Sequence, residues 1–207
     1  MNTVKLNFIN RSNDQNNSSV IIFQKNQSTD FGETAVVWKV IKNCASGWNH
    51  SFEFHLQLEV SAKDSWGNVI GTRLPAEYGK SYHVSKDCSG DNLALSGYAS
   101  SSNLIEVRND FNSGAINAEV YRSGKLLAQK LGICPAQKAV FEFKPTICIG
   151  VASQIEEGNM INSAIIEDIN TEISLLGVKS ADIVMRGGGF GETSKPYEFR
   201  LENIVYS

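Results

Sequence analysis

The sequence has no cluster of basic residues anywhere along its 207 positions. Nineteen lysines and arginines are mixed with 22 aspartates and glutamates, which gives a formal net charge of −3. Proteins that bind nucleic acids concentrate positive charge on one surface in order to neutralise phosphates. The composition therefore argues against a nucleic-acid partner.

Long apolar runs are missing as well. The opening residues MNTVKLNFINRSNDQ lack the apolar stretch of about 7–15 residues that marks a secretory signal peptide. No later stretch approaches the ~18 apolar residues of a membrane span. We therefore expect a protein without a membrane span, located in the cytoplasm or released by a route that uses no classical signal peptide.

Cysteine is scarce and widely spaced. Cys44, Cys88, Cys134 and Cys148 form neither a C-x-x-C pair nor a tight framework. An exported protein would join them in two disulfides, whereas a cytoplasmic protein packs such thiols as small apolar groups. We predict four reduced cysteines that bind no metal.

Glycine-rich nucleotide motifs are incomplete. The segment MRGGGFGETSKP (185–196) has glycine at the first and third positions of a dinucleotide fingerprint but Glu192 at the sixth. Lys195 is followed by Pro196, where a P-loop requires serine or threonine. Glycine permits the positive φ angles of a chain reversal. We predict that this loop turns the chain and binds no nucleotide.

Alternation of apolar and polar residues runs through much of the chain. In FEFHLQLEV (52–60) five apolar residues point to one side of an extended chain and four polar residues to the other. The segments 116–122, 138–144 and 197–204 alternate in the same way, with turn-forming residues between the strands. This pattern predicts an all-β protein: a sandwich of two mainly antiparallel sheets, folded as a single domain over residues 1–207.

The segment NMINSAIIEDINTEISLLG (159–177) is ambiguous. Isoleucines four residues apart fit one face of a helix and one face of a strand. Because β-branched side chains pack well on a pleated sheet, we expect two short strands joined near Asp168. One short helix near 159–170 is the alternative.

Two segments of the chain resemble each other weakly. Residues 8–25 and 107–122 each contain a strand that ends in asparagine, a polar connection, and a second strand with a basic end. Hairpins of one sandwich share such features. We therefore attribute the similarity to the fold type.

Signatures of catalysis and metal binding are weak. The G-x-S-x-G turn of many hydrolases is absent, so a hydrolase would need catalytic residues scattered through the sequence. Cys44, His50 and His55 lack the tight spacing of a zinc site. The loops NDQNNS (13–18) and DCSGDN (87–92) are rich in oxygen ligands but lack the EF-hand order. We predict no cofactor and leave calcium as the one open metal.

Tryptophans in loops supply the remaining signal. Trp48 (SGWNH) and Trp66 (DSWGN) lie beside glycine and asparagine, whereas Trp38 lies in an apolar strand. Rings in loops either close the end of a core, which is the more frequent arrangement, or offer a flat face to a ligand. Because Asn49 and His50 add hydrogen-bonding groups, the predicted ligand-binding residues are Trp48, Asn49 and His50.

These observations predict a non-enzymatic binding protein that acts through end loops of the sandwich. The expected ligand is a carbohydrate or a lipid headgroup. A self-assembling structural protein or homo-oligomer, which would use sheet edges and apolar surface, is the first alternative. A hydrolase with scattered catalytic residues is the second.

Overall fold

The structure, a computed structural model, describes residues 3–14, 18–28, 35–169 and 171–207. Over these residues the chain contains one short helix, α1 (Ser163–Asp168), and seventeen strands. The strands up to residue 98 are β1 (Thr3–Asn10), β2 (Val20–Phe23), β3 (Ala35–Ile41), β4 (Asn49–His55), β5 (Leu58–Asp64), β6 (Val69–Ala76), β7 (Lys80–Asp87) and β8 (Gly90–Tyr98). The later strands are β9 (Ile105–Asn109), β10 (Ile116–Arg122), β11 (Lys125–Ile133), β12 (Lys138–Phe141), β13 (Thr146–Val151), β14 (Met160–Ile161), β15 (Thr171–Ser174), β16 (Val178–Gly188) and β17 (Lys195–Tyr206).

The fold class predicted from the sequence is confirmed: the described residues form mainly antiparallel sheets, consistent with β-sandwich architecture. The helix α1 lies in the ambiguous segment. It begins after Asn162, whose side chain accepts a hydrogen bond from the Ile165 N–H at 3.1 Å and so caps the first turn. The segment also contains the two short strands β14 and β15, so the expected strands and the alternative helix are both present, with the helix between the strands.

The chain forms two compact units. The first unit contains β1–β4, α1 and β13–β17, and the second contains β5–β12. Within the described residues each unit is built from two sheets. The prediction of one domain over residues 1–207 stays a prediction.

The two units share one strand order. In the first unit the sheets run β17-β16-β1-β4 and β14-β3-β2-β13-β15, and in the second they run β8-β7-β9-β12 and β11-β10-β5-β6. β1 pairs with β16 in parallel, and β9 pairs with β7 in parallel. Apart from the two-residue β14, every described strand of the first unit therefore has a counterpart at the same place in the second.

This correspondence divides the chain into two successive copies of one strand pattern. β1–β4 correspond to β9–β12, and β5–β8 correspond to β13, β15, β16 and β17. Each unit thus joins the first half of one copy to the second half of the other. The similar segments 8–25 and 107–122 hold equivalent strands, β1 and β2 in the first unit and β9 and β10 in the second. They are not hairpins, because β1 and β2 lie in different sheets, as do β9 and β10.

Hydrogen bonds at the ends of β1 and β9 support the correspondence in atomic detail. Asn10 and Asn109 are the last residues of these strands, and both are buried. The Asn10 side chain donates to the Cys44 carbonyl at 2.7 Å, and the Asn109 side chain donates to the Ile133 carbonyl at 2.9 Å. Each side-chain oxygen also accepts the backbone N–H two residues further on, at 2.9 and 3.0 Å.

The nine-residue strand predicted over 52–60 is wrong. β4 ends at His55 in the first unit, and β5 begins at Leu58 in the second. The Leu56 side chain, expected in the core, is 39% exposed. Alternation shows which side of a strand is buried, but it carries no information about a change of sheet. The strand predicted over 116–122 is confirmed as β10.

The glycine-rich segment forms the connection between β16 and β17, which pair antiparallel. Gly187, Gly188, Gly189 and Gly191 all have positive φ angles, between 54° and 117°. A Cβ on Gly187 would collide with the carbonyl oxygen of Pro196. The prediction that this loop turns the chain is therefore confirmed.

Two further sequence predictions concern membranes and thiols. Within the described residues, no helix has both the length and the apolar character needed to cross a bilayer. The four cysteines are free thiols, of which Cys44 and Cys148 are buried and Cys88 and Cys134 are exposed.

Candidate functional site

The structure spreads the three predicted ligand-binding residues over two faces. Trp48 lies in the turn before β4 with 66% of its surface exposed, and Asn49 and His50 begin the strand. Asn49 lies opposite Ile9 of β1, and His50 lies opposite Phe8. Because successive side chains of a strand point to opposite faces, Asn49 and His50 do not share one face of the sheet.

The loop tryptophans do not close a core. Trp66 lies in the turn between β5 and β6, where its backbone N–H donates to Asp64 Oδ1 at 2.9 Å. The residue is 89% exposed. The expectation that such a ring closes the end of a core is therefore wrong for both Trp48 and Trp66. Trp38 is a core residue, as predicted, and packs edge to face on Phe54 with 5.5 Å between ring centroids.

Metal ligands do not converge in the described part of the chain. No group of three or more histidine, cysteine, aspartate or glutamate side chains there is arranged to hold a metal ion. Cys44, His50 and His55 are accordingly not brought together in such a group. The calcium-type loop 13–18 contains residues 15–17, which lie outside the described residues.

A groove of about 780 Å³ lies on the outer face of the sheet β8-β7-β9-β12 in the second unit. Alternation along the strands places its side chains. In β7, Tyr82 and Val84 are buried in the core, so Ser81 and His83 point to the other face. In β9 the buried residue Val107 is likewise flanked by groove residues, Glu106 and Arg108.

Charged side chains of both signs line this groove. Glu106 is buried and accepts hydrogen bonds from Lys138 Nζ at 2.7 Å and from the Ser100 N–H at 3.0 Å. Burial raises the pKa of Glu106, but the hydrogen bonds from Lys138 and Ser100 together lower it by more. The pKa of Glu106 therefore lies below its ordinary value. Arg108 and Lys130 add two more cations to the groove, and Asp110, just outside the groove residues, pairs with Arg108 at 2.8 Å.

An aromatic ring stands at the edge of the groove. Tyr98, the last residue of β8, lines the groove with 84% of its surface exposed. Lys80 Nζ lies 4.4 Å from the ring centroid, which is the geometry of a cation–π contact. The groove therefore presents a flat aromatic face beside hydrogen-bonding and cationic groups.

Ser81, His83 and Asp110 form a hydrogen-bonded chain in the second unit. Ser81 Oγ lies 3.2 Å from His83 Nε2, and His83 Nδ1 lies 2.6 Å from Asp110 Oδ2. This is the order of atoms found in a serine–histidine–aspartate triad. Ser81, however, is only 5% exposed. Because β7 lies between β8 and β9, the backbone N–H groups of β7 are used in hydrogen bonds to these two strands. The strand itself supplies no oxyanion site.

Sequence reasoning placed His83 in a strand but missed the groove. Its residues come from separate strands, β7, β8, β9, β11 and β12, and only the pairing of those strands brings them together. Comparison of the chain with known protein families, with curated proteins and with solved structures finds no match. The function is therefore inferred from the geometry of the groove.

Proposed function

We propose that this protein is a non-enzymatic carbohydrate-binding protein whose groove in the second unit takes an acidic sugar, one that carries a carboxylate or sulfate group. The observation that carries the proposal is the exposed Tyr98 ring beside polar and cationic side chains in one groove. A ring face packs against the apolar C–H surface of a sugar, while the neighbouring polar groups bind its hydroxyls.

The cations favour an acidic ligand. Lys138 and Arg108 are held by Glu106 and Asp110, at 2.7 and 2.8 Å, and each keeps further donors for a ligand. Lys130 adds a third cation. Charge-assisted hydrogen bonds from such groups to a carboxylate or sulfate are stronger than bonds between neutral groups.

A lipid headgroup shares the anionic chemistry, but carbohydrate fits the groove better. Membrane binding buries apolar side chains at the bilayer surface. Most of the side chains that line this groove are polar or charged, and its exposed aromatic residue, Tyr98, is itself amphipathic.

An array of acidic and neutral glycans tests the proposal. We expect the wild type to bind acidic glycans, and we expect Tyr98→Ala to weaken that binding about tenfold through loss of the ring contact. Trp66→Ala is the matched control, because it removes an exposed ring of the second unit that lies outside the groove residues.

Four outcomes would contradict the proposal. One is an array without acidic signals, and another is a Tyr98→Ala variant that binds like the wild type. Loss of binding in Trp48→Ala alone would move the site to the end loop predicted from the sequence. Binding to phosphatidylserine vesicles without any glycan signal would replace the carbohydrate with a lipid headgroup.

The chain of Ser81, His83 and Asp110 favours a second candidate function, hydrolysis of an ester. In that reaction Ser81 Oγ would attack the carbonyl carbon while His83 accepts the hydroxyl proton. The alkoxide would leave with that proton, and water would then release the acyl group from Ser81. Turnover of p-nitrophenyl acetate that disappears in both Ser81→Ala and His83→Gln would establish this function. We rank it second because Ser81 is buried.

A further inference from the structure

A second polar groove lies on the equivalent sheet of the first unit. It measures about 410 Å³ and lies on the sheet β17-β16-β1-β4. Asn7 of β1 lies directly opposite Asp182 of β16, just as Glu106 of β9 lies opposite Ser81 of β7. The strand correspondence therefore places these two pairs at the same position, and each pair lines a groove in its own unit.

Hydrogen bonds between side chains cross all four strands of this sheet. Asp182 accepts from the side-chain amide of Asn7 at 3.1 Å and from that of Asn203 at 2.7 Å. Ser51 Oγ donates to the Asn7 side-chain oxygen at 3.0 Å. The Asp182 carboxylate is thus held by two amides, yet each of its oxygens retains capacity to accept a further bond.

The charge in this groove differs from that in the second unit. Lys5 lies opposite Glu53 on the paired strands β1 and β4. With Asp182, the groove has one cation and two carboxylates. An acidic ligand would be repelled there, whereas the hydroxyls of a neutral sugar can donate to a carboxylate and accept from an amide.

We infer that this groove is a second carbohydrate site, which binds a neutral sugar through Asp182, Asn7 and Ser51. Asn49 lies two residues before Ser51, on the same face of β4, and extends the polar surface towards the turn that carries Trp48. The two units thus supply two sites of different charge. The inference shares only its ligand class with the proposed function, because the two sites use different residues.

The test uses the full-length chain on the same array of glycans. We expect neutral glycans to bind the wild type and to lose at least tenfold in affinity for Asp182→Ala. Ser51→Tyr fills the groove with a residue suited to a strand, and it should have the same effect. Arg200→Ala, on the same sheet outside the groove residues, is the control and should bind neutral glycans like the wild type.

The two proposals fail separately. Absence of neutral signals for the wild type would overturn the second site. So would neutral binding that survives in a folded Ser51→Tyr variant, with folding checked by its melting temperature. If acidic signals are absent while neutral signals disappear in Ser51→Tyr, the second site stands and the groove at Tyr98 fails. Tyr98→Ala should leave the neutral signals unchanged.

Discussion

Two buried asparagines, Asn10 and Asn109, fix the ends of the equivalent strands β1 and β9. Each side chain accepts one backbone N–H and donates to a carbonyl across the loop. Asn109 also donates to the Gly114 carbonyl at 2.9 Å. Alanine cannot replace these bonds, and the groups left behind in the interior would be unsatisfied.

We therefore expect Asn109→Ala to lower the free energy of unfolding by roughly 2–4 kcal/mol, since several buried groups lose their partner. Urea unfolding measures the change. Asn103→Ala is the control because its hydrogen bond to Glu142 is exposed, and it should cost less than about 1 kcal/mol. Equal costs for the two variants would contradict the role of Asn109.

The ion pair between Glu106 and Lys138 should make stability depend on pH. The pKa of Glu106 is lower in the folded chain than its ordinary value, so the ionised carboxylate stabilises the fold above the unfolded pKa. This contribution is lost as the pH falls through the folded pKa. We expect Lys138→Met to cost about 1–3 kcal/mol at pH 7, and we expect this cost to decrease as the pH falls through the folded pKa of Glu106.

Thermal melting of both proteins from pH 3 to pH 7 measures that difference. Lys130→Met removes an exposed lysine of the same groove and serves as the control. A cost of Lys138→Met that does not decrease as the pH is lowered would show that the ion pair does not carry the effect.

Burial should divide the four thiols into two classes. Burial raises the pKa of Cys148 to about 11, and it raises the pKa of Cys44 as well. Thiol reagents attack the thiolate, so these two should resist labelling in the folded protein at pH 8. We expect two rapid labels, on Cys88 and Cys134, and four after denaturation. Fewer than four labels in non-reducing denaturant would indicate disulfides.

At the scale of elements, the turn between β16 and β17 depends on glycine. Gly187 has a φ of 91° and faces the Pro196 carbonyl, whereas Gly191 has a φ of 54° with open space around it. Alanine at either position meets the cost of a positive φ, but only Gly187→Ala also forces the two strands apart.

We expect Gly187→Ala to lower the free energy of unfolding by more than about 3 kcal/mol. Gly191→Ala, the matched control, should cost about 1 kcal/mol. Denaturant unfolding of both variants measures the two changes in the free energy of unfolding. Similar values for both would show that the contact with Pro196 is dispensable.

Strands were best predicted from the sequence where one strand stays in one sheet. The segment 116–122 became β10 because its alternation and its sheet coincide. The alternation of 52–60 continues from β4 in the first unit into β5 in the second, and no turn-forming residue marks the boundary between the two strands. In 163–168 an asparagine cap begins a helix despite the β propensity of Ile165 and Ile166, whereas Ile161 and Ile173 lie in strands.

At the scale of the whole molecule, the two copies of the strand pattern exchange halves. The second unit is nearly continuous in sequence, because β5–β12 lie within residues 57–144. A fragment that holds one sequence copy, such as residues 1–104, contains halves of both units and completes neither.

We therefore expect residues 57–144 to fold alone and residues 1–104 to remain unfolded. The shorter fragment should melt below the full chain, since Asn26 and Ser28 hydrogen-bond to the Val140 carbonyl in the intact protein. Circular dichroism and melting curves provide the measurement. A cooperative melt of fragment 1–104 would contradict the exchange of halves.

The candidate sites were less predictable than the strands. Asn49 was found from its neighbour Trp48, but its place beside a polar groove follows from the register of β4 on β1. Tyr98, Glu106 and Lys138 carry no local motif, because each is an ordinary outward residue of a different strand. Their convergence depends on a sheet order that one sequence does not reveal.

The central claim is that the groove of the second unit binds an acidic sugar. Its most direct test is an amide NMR titration of the ¹⁵N-labelled full chain with trigalacturonate. We predict saturable shifts at Tyr98, His83, Gln137 and Lys138, and we predict that Tyr98→Ala weakens them about tenfold. Saturable shifts confined to residues outside this groove, or no shifts with any acidic oligosaccharide, would contradict the claim.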